Sequence, residues 1–261
     1  MNTINKSLGF IGGGRITRIM LSGFARAGVL PQDIVVAEPN DDVFQKLVAS
    51  VPSAQVIRAD NKAAARQDII FGALHPPAIP AVLAEIATAL CPDAVFISLA
   101  PKATIASLSQ GLQGFTRIVR LLPNAPSIID KGYNPIAFSD GLSRSERSEL
   151  LAFLQTLGEC PEVPEDKIEA YAVLVAMGPT YFWFQWQQLM KLGVSFGMDQ
   201  TEAGAALAAM LNGATATLFK GEMTSEEVMD LIPVKPLGED EPAIRDIYTQ
   251  RLEPLFKKLK S

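Results

Sequence analysis

Apolar residues fall along the first part of the chain in short unbroken runs, separated by stretches in which they recur at helical spacing. The runs Leu8–Ile11, Ile34–Ala37, Gln55–Ile57, Ile69–Ala73, Ala94–Leu99 and Arg117–Leu121 read as strands. Val43–Ala49, Ala78–Leu90 and Thr104–Gln110 read as helices between them. Strands that are largely continuous apolar runs, alternating with helices, predict a parallel sheet covered on both faces. Pro135–Ser139 reads as a further strand. Ser143–Leu157 reads as a helix, with Ser143 as N-cap, Glu146 completing a capping box and Gly158 as terminator.

The pattern changes near Cys160-Pro161-Glu162-Val163-Pro164, after which helical spacing dominates. Asp166–Val175, Thr180–Phe196, Thr201–Phe219, Ser225–Leu231 and Pro242–Leu259 are the expected helices. The expected class is α/β: a doubly wound parallel sheet over residues 1–163, then an all-α domain over 164–261. The aromatic run Tyr181-Phe182-Trp183-Phe184-Gln185-Trp186 cannot point into one core face, because successive helical residues turn by about 100°. Another surface must receive part of it, supplied by the first domain or by a partner subunit. The small residues Ala203, Ala206, Ala209, Gly213 and Ala216 allow a close helix approach.

The strand Leu8–Ile11 enters the turn Gly12-Gly13-Gly14 and then an amphipathic helix from Ile16 through Ala27. Strand, glycine turn and helix in that order are the context of a dinucleotide fingerprint. Gly12 allows the tight turn, and Gly14 lets backbone approach a pyrophosphate at the helix N-terminus. Thr17 stands where Gly or Ala is usual. The second strand ends at Glu38, where a carboxylate accepts hydrogen bonds from an adenosine ribose and repels a 2′-phosphate. Glu38 leans the expectation toward NAD over NADP; a plain solvated carboxylate is the alternative. Arg15 could offset Glu38 or contact a phosphate.

Composition narrows the classes. The chain has 261 residues, 48% of them apolar and 20% charged, so it can bury a sizeable core. A net charge of -5 argues against a nucleic-acid surface. No apolar run reaches the length of a membrane span, and the opening Met1–Ser7 is too short and polar for a secretory signal. The two cysteines, Cys91 and Cys160, have no metal spacing, and His75 is the single histidine, so no metal site is expected. Sparse cysteine use fits a reduced, cytoplasmic setting.

The order of motifs resembles the pyrroline-5-carboxylate reductase family from Leu8 to about Phe219. Gly9-Phe10-Ile11-Gly12-Gly13-Gly14 is the first matching block. Ile69–Pro76 is similar to the family strand that ends in Ala-Val-Lys-Pro. Val119-Arg120-Leu121-Leu122-Pro123-Asn124-Ala125-Pro126 is similar to its Arg-x-Met-Pro-Asn-Thr-Pro block. Glu169 to Tyr181 keeps the Gly178-Pro179-Thr180-Tyr181 end of another block, and Leu192–Met198 matches a Gly-containing turn.

The resemblance implies a Rossmann domain followed by helices that form a homodimer, with hydride passing from NAD or NADP to the C=N carbon of a cyclic imine acid in proline biosynthesis. It implies Gly12, Gly14, Arg15, Ile16 and Glu38 at the adenosine and pyrophosphate end. His75, which replaces the family lysine, Pro76 and Asn124 fall near the nicotinamide half. Met177, Gly178, Pro179 and Thr180 are implied as substrate contacts, with Thr180 as a catalytic donor. Family hydroxyls before the Gly-Pro are here Val175, Ala176 and Met177, and the family Ser-Pro-Gly-Gly-x-Thr block is replaced by Val234–Asp240. Lys235 is the candidate substitute donor there. These departures open two alternatives: a reductase of a more apolar imine or carbonyl, and a catalytically silent NAD(P)-binding sensor or partner protein on the same scaffold. A Rossmann-like protein without a nucleotide is the remaining reading.

Overall fold

The computed structural model describes residues 6–31, 33–52 and 55–260. The expectations at Met1–Asn5 lie outside them. Five parallel strands dominate the centre of the larger sheet: β1 (Leu8–Ile11), β2 (Asp33–Ala37), β4 (Ile69–Gly72), β5 (Val95–Ser98) and β6 (Ile118–Leu121). With β3 (Gln55–Ala59) and β8 (Ile136–Phe138), the order is β3-β2-β1-β4-β5-β6-β8. All neighbours are parallel except β8, which runs antiparallel to β6 with Leu121 opposite Ile136. A second ladder pairs β7 (Gly132–Tyr133) with β9 (Gly158–Glu159).

Helices cover both faces, as the apolar runs require. Alternate strand residues point to opposite faces. Phe10 and Phe71 join one core with Met20 and Phe24 of α1 (Arg15–Arg26), Leu47 of α2 (Asp41–Ser50) and Phe153 of α6 (Arg144–Leu154). Ile11 and Ile70 join the other with Ala64 of α3 (Asn61–Ala65), Leu83 of α4 (Ile79–Ile86) and Leu108 of α5 (Ile105–Gly111). Rings stack within each layer, Phe10 on Phe71 of the neighbouring strand at 4.6 Å and Phe24 of α1 on Phe153 of α6 at 4.4 Å. The capping box at Ser143 and Glu146 forms as expected. Gly158 follows the end of that helical segment with φ 127°, a backbone state that side chains rarely adopt.

The chain divides into two compact units at Met177/Gly178, and the stretch from Phe256 onward rejoins the first unit. This differs from the division expected after residue 163, and packing explains the difference. Beyond Val163 the chain passes through α7 (Ile168–Tyr171) and a π-helical turn at Ala172–Ala176. Ile168 and Ala172 are wholly buried in a small cluster with Leu122, Ala137 and Val163, against which Tyr171 and Leu259 pack. Arg120, on β6 and only 1% exposed, holds the same segment. Its guanidinium pairs with Glu169 at 2.6 Å and Glu165 at 3.1 Å, and donates to the Pro101 carbonyl. Glu165 also accepts the Ile105 N–H at 2.6 Å. Breaking one side of such a buried pair costs about 3–5 kcal/mol, so this segment is bound to the sheet.

The second unit is helical: α8 (Pro179–Ser195), α9 (Gln200–Lys220), α10 (Ser225–Asp230) and most of α11 (Glu241–Lys260). α8 packs on α9 where Gly193 meets Ala203, one of the few buried side chains of the unit. Tyr181 meets Tyr248 edge-on at 6.2 Å, and Phe182 stacks on Trp186 at 5.9 Å. α8 nevertheless has no fully buried residue. Phe184, Phe196, Phe219, Ile232 and Val234 are each at least 66% exposed. Among the described residues no helix is long and apolar enough to cross a membrane.

Candidate cofactor and substrate sites

The glycine turn has the backbone geometry that a dinucleotide cradle requires. Gly12 takes φ 102°, and a Cβ there would stand 2.4 Å from the Ala73 carbonyl oxygen. Its N–H donates to Ala37 O at 2.8 Å, so the turn is fixed to the end of β2. Gly14 is the N-cap of α1, makes no side-chain cap, and faces open space where a Cβ would lie. Backbone N–H groups at the start of a twelve-residue helix therefore face a place where a phosphate fits.

Thr17 resolves the departure at the third fingerprint position. It is wholly buried, and its hydroxyl donates to the Gly12 carbonyl at 2.6 Å. The side chain that breaks the small-residue rule closes the turn instead of obstructing it.

Glu38 is anchored at both oxygens. Gly13 N–H donates to Oε2 at 2.9 Å and Asn40 N–H donates to Oε1 at 2.8 Å. A carboxylate oxygen has capacity for a further donor, so this arrangement leaves room for ribose hydroxyls. Glu38 thus also does a structural task that the sequence reading did not foresee.

A cleft of about 650 Å³ opens beside the turn, lined by Gly13, Gly14, Arg15, Ile16 and His75 among others. Arg18 and Lys46 also line it, and sequence reasoning missed both. The signal for Arg18 was its place one helical turn after Arg15. Lys46 gave none, because which face α2 presents depends on packing. No ion pair occupies Arg15, Arg18 or Lys46 among the described residues. Positive charge lines the cleft, backbone donors stand at the start of α1, and the Glu38 acceptor lies against Gly13, a combination a dinucleotide calls for.

The other sequence-derived candidates are more dispersed. Pro76 lines a separate apolar groove between α4 and α5. Asn124 is buried, accepting the Tyr133 N–H at 3.1 Å through its side-chain oxygen and donating its own N–H to Asn134 Oδ1 at 3.1 Å. Met177 N–H closes the π-helical turn onto Ala172 O at 3.1 Å. Gly178 caps α8, Pro179 begins it, and Thr180 lies exposed in its first turn. Burial, then the neighbouring Tyr248 phenol, pushes the Tyr181 hydroxyl above its ordinary pKa, so it stays protonated at neutral pH. Lys235 is exposed and lines a pocket with Met229, Ile232 and Leu237 that does not include Thr180. Cys160 is buried and its thiol is pushed up to about 12, which fits a small apolar core residue. No His/Cys/Asp/Glu group among the described residues could hold a metal.

Comparison with known proteins agrees with this geometry. Residues 7–102 match the family described as NADP oxidoreductase, coenzyme F420-dependent. A pyrroline-5-carboxylate reductase of Corynebacterium melassecola is 26% identical over 254 residues, covering 96% of this chain and 93% of that protein. Pyrroline-5-carboxylate reductase 3 of Xenopus laevis is 29% identical, covering 84% and 80%. Among solved structures, the pyrroline carboxylate reductase of Plasmodium falciparum, with NADP bound, superposes with a TM-score of 0.81 at 19% identity, covering 98% of this chain and 97% of that one. The Coxiella burnetii pyrroline-5-carboxylate reductase gives 0.68 at 25% identity, covering 96% and 93%. Along most of its length the chain is similar in sequence to pyrroline-5-carboxylate reductases, and its fold is similar to theirs.

Proposed function

We propose that the protein is an NAD(P)H-dependent reductase that delivers hydride to the C=N carbon of a cyclic imine acid, pyrroline-5-carboxylate or a more apolar analogue. The observation that carries this reading is the cradle of Gly12, Gly14 and Glu38 beside a cationic cleft, in a chain similar to these reductases almost end to end. The nicotinamide, when bound, supplies the hydride. The protein's part is to hold it, to fix the imine and to exclude water. Gly14 and the first turn of α1 would hold the pyrophosphate, with Arg15 and Arg18 balancing its charge. Glu38 would accept the ribose hydroxyls and favour NAD.

His75, Pro76 and Asn124 are proposed near the nicotinamide half. Met177, Gly178, Pro179 and Thr180 are proposed at the substrate, where Thr180 donates to its carboxylate and Lys235 is the second candidate donor. A cyclic imine protonated before binding needs no general acid from the protein. The exposed apolar residues of the helical unit support assembly as a homodimer through those helices. A cytoplasmic location fits the reaction.

The test is cofactor oxidation on adding pyrroline-5-carboxylate to the full chain with NADH or NADPH. Turnover with either supports the reading, and absence of turnover with both overturns the named substrate. Val175, Ala176 and Met177 in place of hydroxyl residues favour a second reading, a silent NAD(P)-binding sensor or partner protein. That reading requires dinucleotide binding without reduction across a panel of imines and keto acids.

A further inference from the structure

Arg58 lies on the edge strand β3, paired in register with Val36 of β2. Its side chain crosses the end of β2 and meets the segment that follows. Nε donates to the Glu38 carbonyl at 2.8 Å, Nη2 donates to the Pro39 carbonyl at 2.6 Å, and Nη1 pairs with the Asp41 carboxylate. The guanidinium carbon stands 5.2 Å from the centre of the Phe44 ring. One planar group thus gathers contacts from four residues between the end of β2 and the first turns of α2.

From the other side, the Glu38 carboxylate takes the Gly13 and Asn40 N–H groups. The main chain of Glu38 therefore faces Arg58 while its side chain faces the glycine turn. Pro39 has no N–H to contribute, and Asn40 is exposed, spending its side chain on capping α2 at the Val43 N–H. Among the described residues, the guanidinium is the group that holds both carbonyls of this segment. A rigid fork can satisfy several acceptors at fixed angles, which a lysine ammonium on a flexible stem cannot match.

The geometry points to Arg58 as a positioning residue for the adenosine half of the cofactor: by clamping the main chain at residues 38–41 it aims the Glu38 carboxylate at the ribose. The inference rests on the dinucleotide reading above. Arg58 acts through Glu38 and not as a phosphate ligand, since its donors are turned to protein acceptors while Arg15, Arg18 and Lys46 line the cleft itself.

The test measures dissociation constants of NADH and NADPH, with melting temperature alongside, for the full chain and its R58K and R58A variants. Both variants are expected to lose NADH affinity by tenfold or more while losing NADPH affinity by less than threefold. R58K keeps the charge but loses the fork, so its failure to rescue NADH binding identifies positioning. Rescue by R58K, with R58A selectively losing NADPH, would mean that only the charge matters and would overturn the inference. An equal loss for both cofactors with a lowered melting temperature would reduce Arg58 to a structural role and overturn it too. No binding of either cofactor by the unaltered chain would overturn the dinucleotide reading and this inference together; intact binding with an unaltered NADH/NADPH ratio in both variants would overturn this inference alone.

Discussion

Gly13 N–H and Glu38 Oε2 are 2.9 Å apart, and this single hydrogen bond joins the glycine turn to the residue that follows β2. The carboxylate that would select the cofactor also shapes the turn that would hold its pyrophosphate. Glu38→Ala should raise the NADH dissociation constant at least tenfold and relax the preference for NAD over NADP. Glu38→Gln keeps one acceptor and should fall between. Fluorescence titration with both cofactors checks this, and an unchanged ratio of affinities in the alanine variant refutes the ribose role.

Thr17 makes a related prediction at the turn itself. Thr17→Val keeps the volume but leaves the Gly12 carbonyl without the hydroxyl that now reaches it at 2.6 Å. The expected cost is about 1–3 kcal/mol in urea denaturation, with weaker dinucleotide binding in proportion. Stability equal to the parent would show that water takes over the bond at no cost.

Gly12→Ala should be more damaging. Its φ of 102° is strained for alanine, and the new Cβ would overlap the Ala73 carbonyl oxygen. We expect loss of dinucleotide binding and destabilisation of about 2 kcal/mol or more, read by calorimetry and thermal melting. Gly14→Ala meets nothing within 4 Å in the protein, so it should fold normally and weaken binding alone. A Gly14→Ala chain with full affinity would remove the pyrophosphate from that place.

These sites show how much of the molecule the sequence carried and where it stopped. The runs of β1, β4, β5 and β6 became wholly buried parallel strands because largely apolar stretches are stable between two covered faces, whereas β3 at the edge is mostly exposed. The capping box at Ser143 formed because both partners lie within one helical turn. The cradle at Gly12 was legible for the same reason, being local. Arg58 and Arg120 were not. Each meets acceptors brought close by the fold from Glu38 or Glu169, and periodicity does not encode such meetings. The segment around Ile168 read as part of the helical domain because its spacing is helical, but its burial under Leu122 and Ala137 is tertiary.

Acid stability tests the cap of α6. Glu146 is held down to about 2 from 4.5, first by the Arg117 guanidinium at 2.5 Å and then by the Ser143 hydroxyl and N–H. Its folded pKa lies below its unfolded one, so its stabilisation is full above about pH 4.5 and is lost as pH falls toward about 2. A third of the side chain is solvent-exposed, which screens the pair and limits the effect to about 1 kcal/mol. Glu146→Gln should flatten that part of the stability–pH curve; a variant with the parental slope between those limits would disprove the assignment.

The helical unit makes a prediction about assembly. Phe184 and Phe219 are 66% and 77% exposed, on α8 and α9. Sedimentation of the full chain should give a dimer, and Phe219→Glu should shift it toward monomer. A monomer at every concentration tested would refute the homodimer.

The return of the chain at Phe256 bears on the order in which the protein folds. Leu259 packs beside Tyr171 on the cluster of Val163, Ile168 and Ala172, closing a loop of roughly ninety residues whose ends must meet by diffusion. The stack of Phe24 on Phe153 closes a longer loop of about 130 residues, and β1 meets β4 across about sixty. Docking of Leu259 is thus one of several long closures, and it is the one whose loop contains the helical unit.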